Sequence, residues 1–173
     1  VEINPASKVP VKIRPPKQAD FLTYQLPFRY DNKASSPRFI QYLDEVLPDR
    51  DMQQLLAEFV GYVFVNTSTL KLEKALILLG PGGNGKSVFF EIVNALLGNE
   101  NVSTYTLQSL TDKSGYYRAK LANRLVNYAS EINGSMDTAL FKQLVSGEPV
   151  EARLPYGEPF TLTDYAKLIF NCN

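Results

Sequence analysis

The chain has 173 residues, 45% of them apolar, with 18 basic side chains against 18 acidic ones. That is enough apolar material for one cored domain and a smaller appendage, and the charge balance excludes a wholly basic nucleic-acid-binding protein while leaving room for a local basic channel. Histidine is absent and Cys172 is the sole cysteine, which excludes an internal disulfide and soft-ligand zinc sites, so any metal is expected to be a hard ion held by oxygen.

Residues 1–36 read as irregular. Pro5, Pro10, Pro15, Pro16 and Pro27 interrupt any helix, and Val9 to Ile13 reads as extended chain. No apolar run approaches the ~20 residues of a membrane span, and the basic-then-apolar pattern of a secretion signal is missing. Lys8, Lys12, Arg14 and Lys17 sit together between Glu2 and Asp20. They suit either a tail that touches DNA or RNA, or a solvated linker from a domain upstream. The first residue is Val1 rather than methionine, which suggests a piece of a longer protein. Ser36-Pro37 reads as an N-cap followed by proline at the first helical position. Phe39, Ile40, Leu43 and Leu47, then, after Pro48, Met52, Leu55, Leu56, Phe59, Val60 and Val63, follow at helical spacing. A helical pair over 37–65 is expected.

Lys74 to Gly80 reads as a strand and Lys86 to Leu97 as a helix, with Gly98 placed to end it. Between them lies Gly80-Pro81-Gly82-Gly83-Asn84-Gly85-Lys86-Ser87, followed by Val88. Strand, glycine loop and Gly-Lys-Ser opening a helix is the Walker A pattern of a phosphate-binding loop. Glycines let successive N–H groups turn inward toward anionic oxygens, and the helix adds its positive end. Residues 80–88 are therefore the expected nucleotide-binding segment. Lys86 is expected to neutralise the β- and γ-phosphates of ATP, and the Ser87 hydroxyl to ligate Mg²⁺.

Val102 to Leu107 alternates and reads as a second strand; Ser109 to Ala122 reads as helical but broken at Gly115. Arg124 to Glu131 is a short, mostly apolar strand ending in an acid. In phosphate-loop ATPases an acid ends the strand beside the first one, where it orients water and helps hold Mg²⁺; Glu131 is the candidate for both. Asp137 to Val145 reads as a short helix. Residues 146–162 read as a β-hairpin with its tip at Leu154-Pro155-Tyr156-Gly157. Arg153 and Tyr156 near such a tip suit phosphate contact and base stacking, although an ordinary surface hairpin carries the same residues. The last strand, Lys167 to Asn173, ends in polar amides, and an Asn there could hydrogen-bond a γ-phosphate.

Taken together, Gly-Pro-Gly-Gly-Asn-Gly-Lys-Ser, then Ala-Ser-Glu-Ile, then Ser-Gly-Glu-Pro-Val-Glu-Ala-Arg with Tyr-Gly-Glu-Pro-Phe, then Leu-Ile-Phe-Asn-Cys-Asn resemble superfamily-three helicases. The resemblance is strongest to phage- and plasmid-encoded primase–helicases related to the poxvirus primase–helicase. It extends to Tyr-Gln-Leu-Pro and Phe-Val-Gly-Tyr-Val in the preceding helical region. It implies an α/β P-loop NTPase of the AAA+ type with a central, mostly parallel sheet. The implied division is an extended tail over 1–36, a helical region over 37–72 and the ATPase core over 73–173. It further implies a cytoplasmic motor, usually hexameric, that hydrolyses ATP with Mg²⁺ and moves on single-stranded DNA, with room for an upstream primase domain. Carried over by position, Glu131, Lys86 and Asn173 are catalytic, with Asn171 the alternative register for the polar sensor. Lys142 joins Arg153 and Tyr156 as DNA-binding. Ser130 stands where many relatives carry a second acid. The arginine finger and last sheet strand of such motors would lie beyond Asn173, so the resemblance implies ATP binding with weak hydrolysis. Two other readings remain open: a nucleotide-switch assembly or packaging subunit, and a small-molecule kinase.

Overall fold

The computed structural model of the chain describes residues 2–3, 8, 11–20, 22–67, 70–130, 132 and 135–173. Near its start, β1 (Glu2–Ile3) and β2 (Val11–Lys12) pair antiparallel, so part of the expected extended stretch is a short ladder. Val9 and Pro10 lie outside the described residues. Arg14 donates to both carboxylate oxygens of Asp20, at 2.8 and 2.7 Å. That guanidinium, helped by the Lys17 N–H, holds the Asp20 carboxyl well below the usual carboxylate range. One charge of the basic cluster is therefore balanced locally.

Ser36 stands at the N-cap and Pro37 opens α1 (Pro37–Val46), as expected, although the Ser36 side chain makes no capping hydrogen bond. A side-chain cap is made by Asp49, which accepts from the N–H groups of Asp51 and Met52 and starts α2 (Arg50–Tyr62). β3 (Leu76–Leu79) and α3 (Lys86–Leu97) follow, and the Gly98 N–H closes α3 on the Asn94 carbonyl. β4 is only Val102–Ser103. The longer strand expected to Leu107 is cut short because the Thr106 side chain accepts the Ser109 N–H and turns the chain into α4 (Leu107–Leu110). After Gly115 comes α5 (Tyr116–Ala119), so the expected helix over 109–122 is two single turns. β5 (Val126–Ala129), α6 (Thr138–Ser146, capped by Asp137), β6 (Val150–Arg153), β7 (Pro159–Leu162) and β8 (Lys167–Cys172) complete the chain.

Four strands form one parallel sheet in the order β3-β8-β5-β4. This corrects the expectation that the strand leading to Glu131 adjoins the first one: β8 lies between them, pairing Cys172 with Leu79 and Phe170 with Ala129. Side chains alternate across the sheet. Tyr128 and Ile169 enter a core built with α1, α2 and α3, including Leu43, Phe59, Phe89 and Val93. Ala129, Leu168 and Phe170 enter a second core with α4, α6 and the β6–β7 hairpin. Phe170 is fully buried there; burial of such a ring contributes about 1.5–3 kcal/mol. The one buried amide of β5, Asn127, is satisfied by the Ser103 hydroxyl and by both backbone groups of Tyr105. Among the described residues no helix is long and apolar enough to cross a membrane.

Candidate functional site

The glycine loop leaves the carboxyl end of β3, the end of a parallel sheet where ligands of open α/β folds bind. The Gly80 N–H donates to the Cys172 carbonyl at 3.1 Å, so the loop starts level with the end of β8. Pro81, Gly82 and Gly83 are exposed. Gly85 then takes φ 87° and caps α3. Its carbonyl accepts the Phe89 N–H at 3.0 Å and the Tyr42 hydroxyl at 2.8 Å. A Cβ at Gly85 would stand 2.8 Å from a Val46 methyl and 3.2 Å from the Tyr42 ring, so both backbone angle and space demand glycine.

Lys86 folds back over the loop. Its ammonium donates to the Gly80 carbonyl, to the Pro81 carbonyl at 3.1 Å and to the Asn84 side-chain oxygen at 2.9 Å. Ser87 and Val88 are exposed on the first turn of α3. A cation, the first N–H groups of a 12-residue helix and the exposed residue Ser87 thus lie in one stretch just past a strand end. That donor set suits a multiply charged anion together with a hard, oxygen-liganded cation. Among the described residues no group of three or more His, Cys, Asp or Glu side chains gathers elsewhere to hold a metal.

Below the loop, the Tyr128 hydroxyl donates to the Asn171 side-chain oxygen at 2.9 Å, with the Lys86 carbonyl at 3.4 Å. Burial, with the nearby Tyr42 second, pushes the Tyr128 phenol far above its ordinary value. Asn171 is buried, whereas Asn173 is exposed and follows the last residue of β8. Alternation puts Asn171 on the face of β8 that carries Ile169. Glu131 lies outside the described residues.

The hairpin is built on the other face. Val150 and Ala152 are fully buried, and the buried Arg118 ties β6 down: it donates to the carbonyls of Glu151 at 2.7 Å, Leu110 at 3.0 Å and Asp112 at 2.6 Å. Tyr156 is fully exposed at the tip, in the left-handed region at φ 61°. Arg153 is exposed, and its Nε donates to the Gly157 carbonyl at 2.7 Å, bracing the turn. Lys142 is exposed on α6. The loop residues Lys86, Asn84 and Gly85 are thus brought together with Tyr42 and Tyr128, while Arg153 and Tyr156 form a separate group.

Three residues of this arrangement have no counterpart in the sequence reading: Tyr42, Tyr128 and Arg118. Tyr42 stands three positions after Phe39 on the apolar stripe, and Tyr128 shares a short, wholly buried strand with Asn127. A hydroxyl placed at a core position is the signal that each needs a buried acceptor.

Residues 78–173 match the model of DUF5906, described as a family of unknown function. The fold is similar to that of the apo NrS-1 C-terminal region, with a TM-score of 0.65 and 16% identity over 82% of this chain and 34% of that one. It is also similar to that of JCV helicase with an acetamide compound bound, with a TM-score of 0.54 and 12% identity over 78% of this chain and 39% of that one. The chain spans little more than a third of either structure. At such identities the likeness is one of fold alone.

Proposed function

This chain belongs to DUF5906, and we propose that it is the ATP-binding part of a DNA helicase motor of the AAA+ P-loop type. The observation that carries the reading is the loop at the end of β3: the Lys86 ammonium is held by three oxygens of its own loop, and the exposed Ser87 follows on the first turn of α3. In this reading, phosphate oxygens take over the place of the loop carbonyls as partners of Lys86. The N–H groups of the loop and of the first helical turn complete the cradle. Oxygen donors suit Mg²⁺, which Ser87 and Glu131 would hold and which would neutralise charge developing on the phosphates. Glu131, two residues past β5, is the residue we assign to polarise the attacking water. Asn173, or Asn171 behind it, would hydrogen-bond the terminal phosphate from the central strand.

The fold likeness to a structure named as a helicase supports a nucleic acid as the partner, and the motif resemblance makes single-stranded DNA the choice. Tyr156, fully exposed at a braced hairpin tip, offers a ring for base stacking, with Arg153 and Lys142 as phosphate contacts. A homo-oligomeric ring, usually of six, would let each hairpin pull on one strand. The test is phosphate release by the full-length protein that carries this chain, supplied with ATP, Mg²⁺ and single-stranded DNA. DNA-stimulated release that Lys86→Ala abolishes is expected. A rate untouched by DNA and by Lys86→Ala would overturn the reading.

A further inference from the structure

Two tyrosines hold consecutive carbonyls where the loop becomes α3. Tyr42, from α1, donates to the Gly85 carbonyl at 2.8 Å. Tyr128, from β5, lies 3.4 Å from the Lys86 carbonyl while its proton goes chiefly to Asn171. A peptide unit is planar, so fixing its C=O fixes the N–H at its other end. The unit that carries the Gly85 carbonyl also carries the Lys86 N–H, and the next unit carries the Ser87 N–H. Both are helix-start donors without an intrahelical partner. Tyr42 therefore sets the aim of a backbone donor at the site through a carbonyl that points away from the ligand side of the same peptide unit. Its own direction is set by α1, where its ring stacks on Phe39 with centroids 6.2 Å apart. The Gly85 carbonyl has two lone pairs; Phe89 takes one within the helix and Tyr42 the other.

We infer that Tyr42 is a positioning residue for the phosphate-binding loop, and that through it nucleotide occupancy is felt by α1. The inference rests on the phosphate-loop reading. It extends that reading to a helix that touches no phosphate. The link runs both ways: whatever tightens the loop must also tighten α1, because free-energy coupling is reciprocal.

The experiment compares wild type with Tyr42→Phe, which keeps the ring and removes only the hydroxyl. Calorimetry measures ATP–Mg²⁺ affinity, thermal melting measures stability, and amide hydrogen exchange follows residues 37–46 with and without nucleotide. Losing this hydrogen bond, which is present without nucleotide, should lower the melting temperature by a few degrees and, by loosening the aim of the Lys86 N–H, weaken binding about three- to tenfold. In the wild type nucleotide should slow exchange in α1, and in Tyr42→Phe that slowing should vanish. Equal affinities, or a lowered melting temperature with affinity unchanged, would overturn the inference and leave Tyr42 a packing residue. So would wild-type exchange in α1 that ignores ATP, a result that needs no variant. A wild type that takes up no ATP at all would sink the phosphate-loop reading instead.

Discussion

The Tyr128 hydroxyl and the Asn171 side-chain oxygen, 2.9 Å apart, join β5 to β8 beside the first turn of α3. Both side chains are buried, at 1% and 7% exposure, so neither finds water as a substitute partner. Tyr128→Phe leaves that oxygen without its donor. The expected loss is about 1–3 kcal/mol of folding stability. Urea unfolding checks it: the midpoint should fall at unchanged slope, and an unmoved midpoint would show that the pairing contributes nothing.

Alkaline pH should act through the same hydroxyl. Burial raises the phenols of Tyr128 and Tyr165, and to a lesser degree those of Tyr24 and Tyr42, above the ordinary value of 10.0. A group whose folded pKa is raised contributes its stability fully below the unfolded value. Above that value the unfolded chain ionises while the folded one does not, so the contribution is lost as pH rises. The melting temperature should therefore decline from about pH 10 upward. Ultraviolet titration of the native protein should show tyrosines that resist ionisation until unfolding. Ionisation of every tyrosine near pH 10 with the fold intact would contradict this.

Gly83 and Gly85 both lie at positive φ, 78° and 87°, but only Gly85 is crowded. Alanine at Gly83 should cost the backbone strain alone, roughly 1–2 kcal/mol. Alanine at Gly85 adds overlap with Val46 and Tyr42, for a total of about 2–4 kcal/mol. Denaturant melts of the two variants side by side measure the difference. Equal losses would mean that α1 does not press on the loop.

At the other face of the sheet, Tyr156 has its whole ring in solvent and its backbone in a region that tyrosine seldom adopts. Packing does not explain the residue. Tyr156→Gly should leave stability unchanged or slightly raised. Stacking on one base contributes about 1–3 kcal/mol, so affinity for single-stranded DNA should fall roughly fivefold or more at fixed salt. Fluorescence anisotropy with a labelled oligonucleotide and the full-length protein would show it. Unchanged binding would remove Tyr156 from the DNA path.

Local features were legible in the chain and non-local ones were not. The 80–87 loop, α3 with its stop at Gly98, and the β6–β7 hairpin each depend on residues within a few positions of one another, so pattern alone reaches them. The strand order was illegible, because two short apolar strands look alike and nothing local says which one pairs with β3. Thr106 was read as strand because it alternates with apolar neighbours; its hydroxyl in fact caps α4. Ser36 was placed correctly at the N-cap of α1, but its side chain makes no capping bond, since an N-cap side chain bonds only if its rotamer reaches the backbone. The partners of Tyr42 and Tyr128 lie 43 and 42–43 residues away, and the Arg118 partner on β6, Glu151, lies 33 away. Only the folded sheet brings them together.

The central claim is that the glycine loop holds a nucleotide's phosphates with Lys86 as their counter-charge. Isothermal titration calorimetry of the folded protein with ATP and Mg²⁺, repeated on Lys86→Ala, tests it most directly. A charge-assisted contact is worth about 1.5–3 kcal/mol, so the account predicts measurable binding by the wild type and a loss of at least roughly tenfold in the variant. Its melting temperature should hold, because the present partners of Lys86 all belong to its own loop. No heat from the wild type, or equal affinity in Lys86→Ala, would contradict the account.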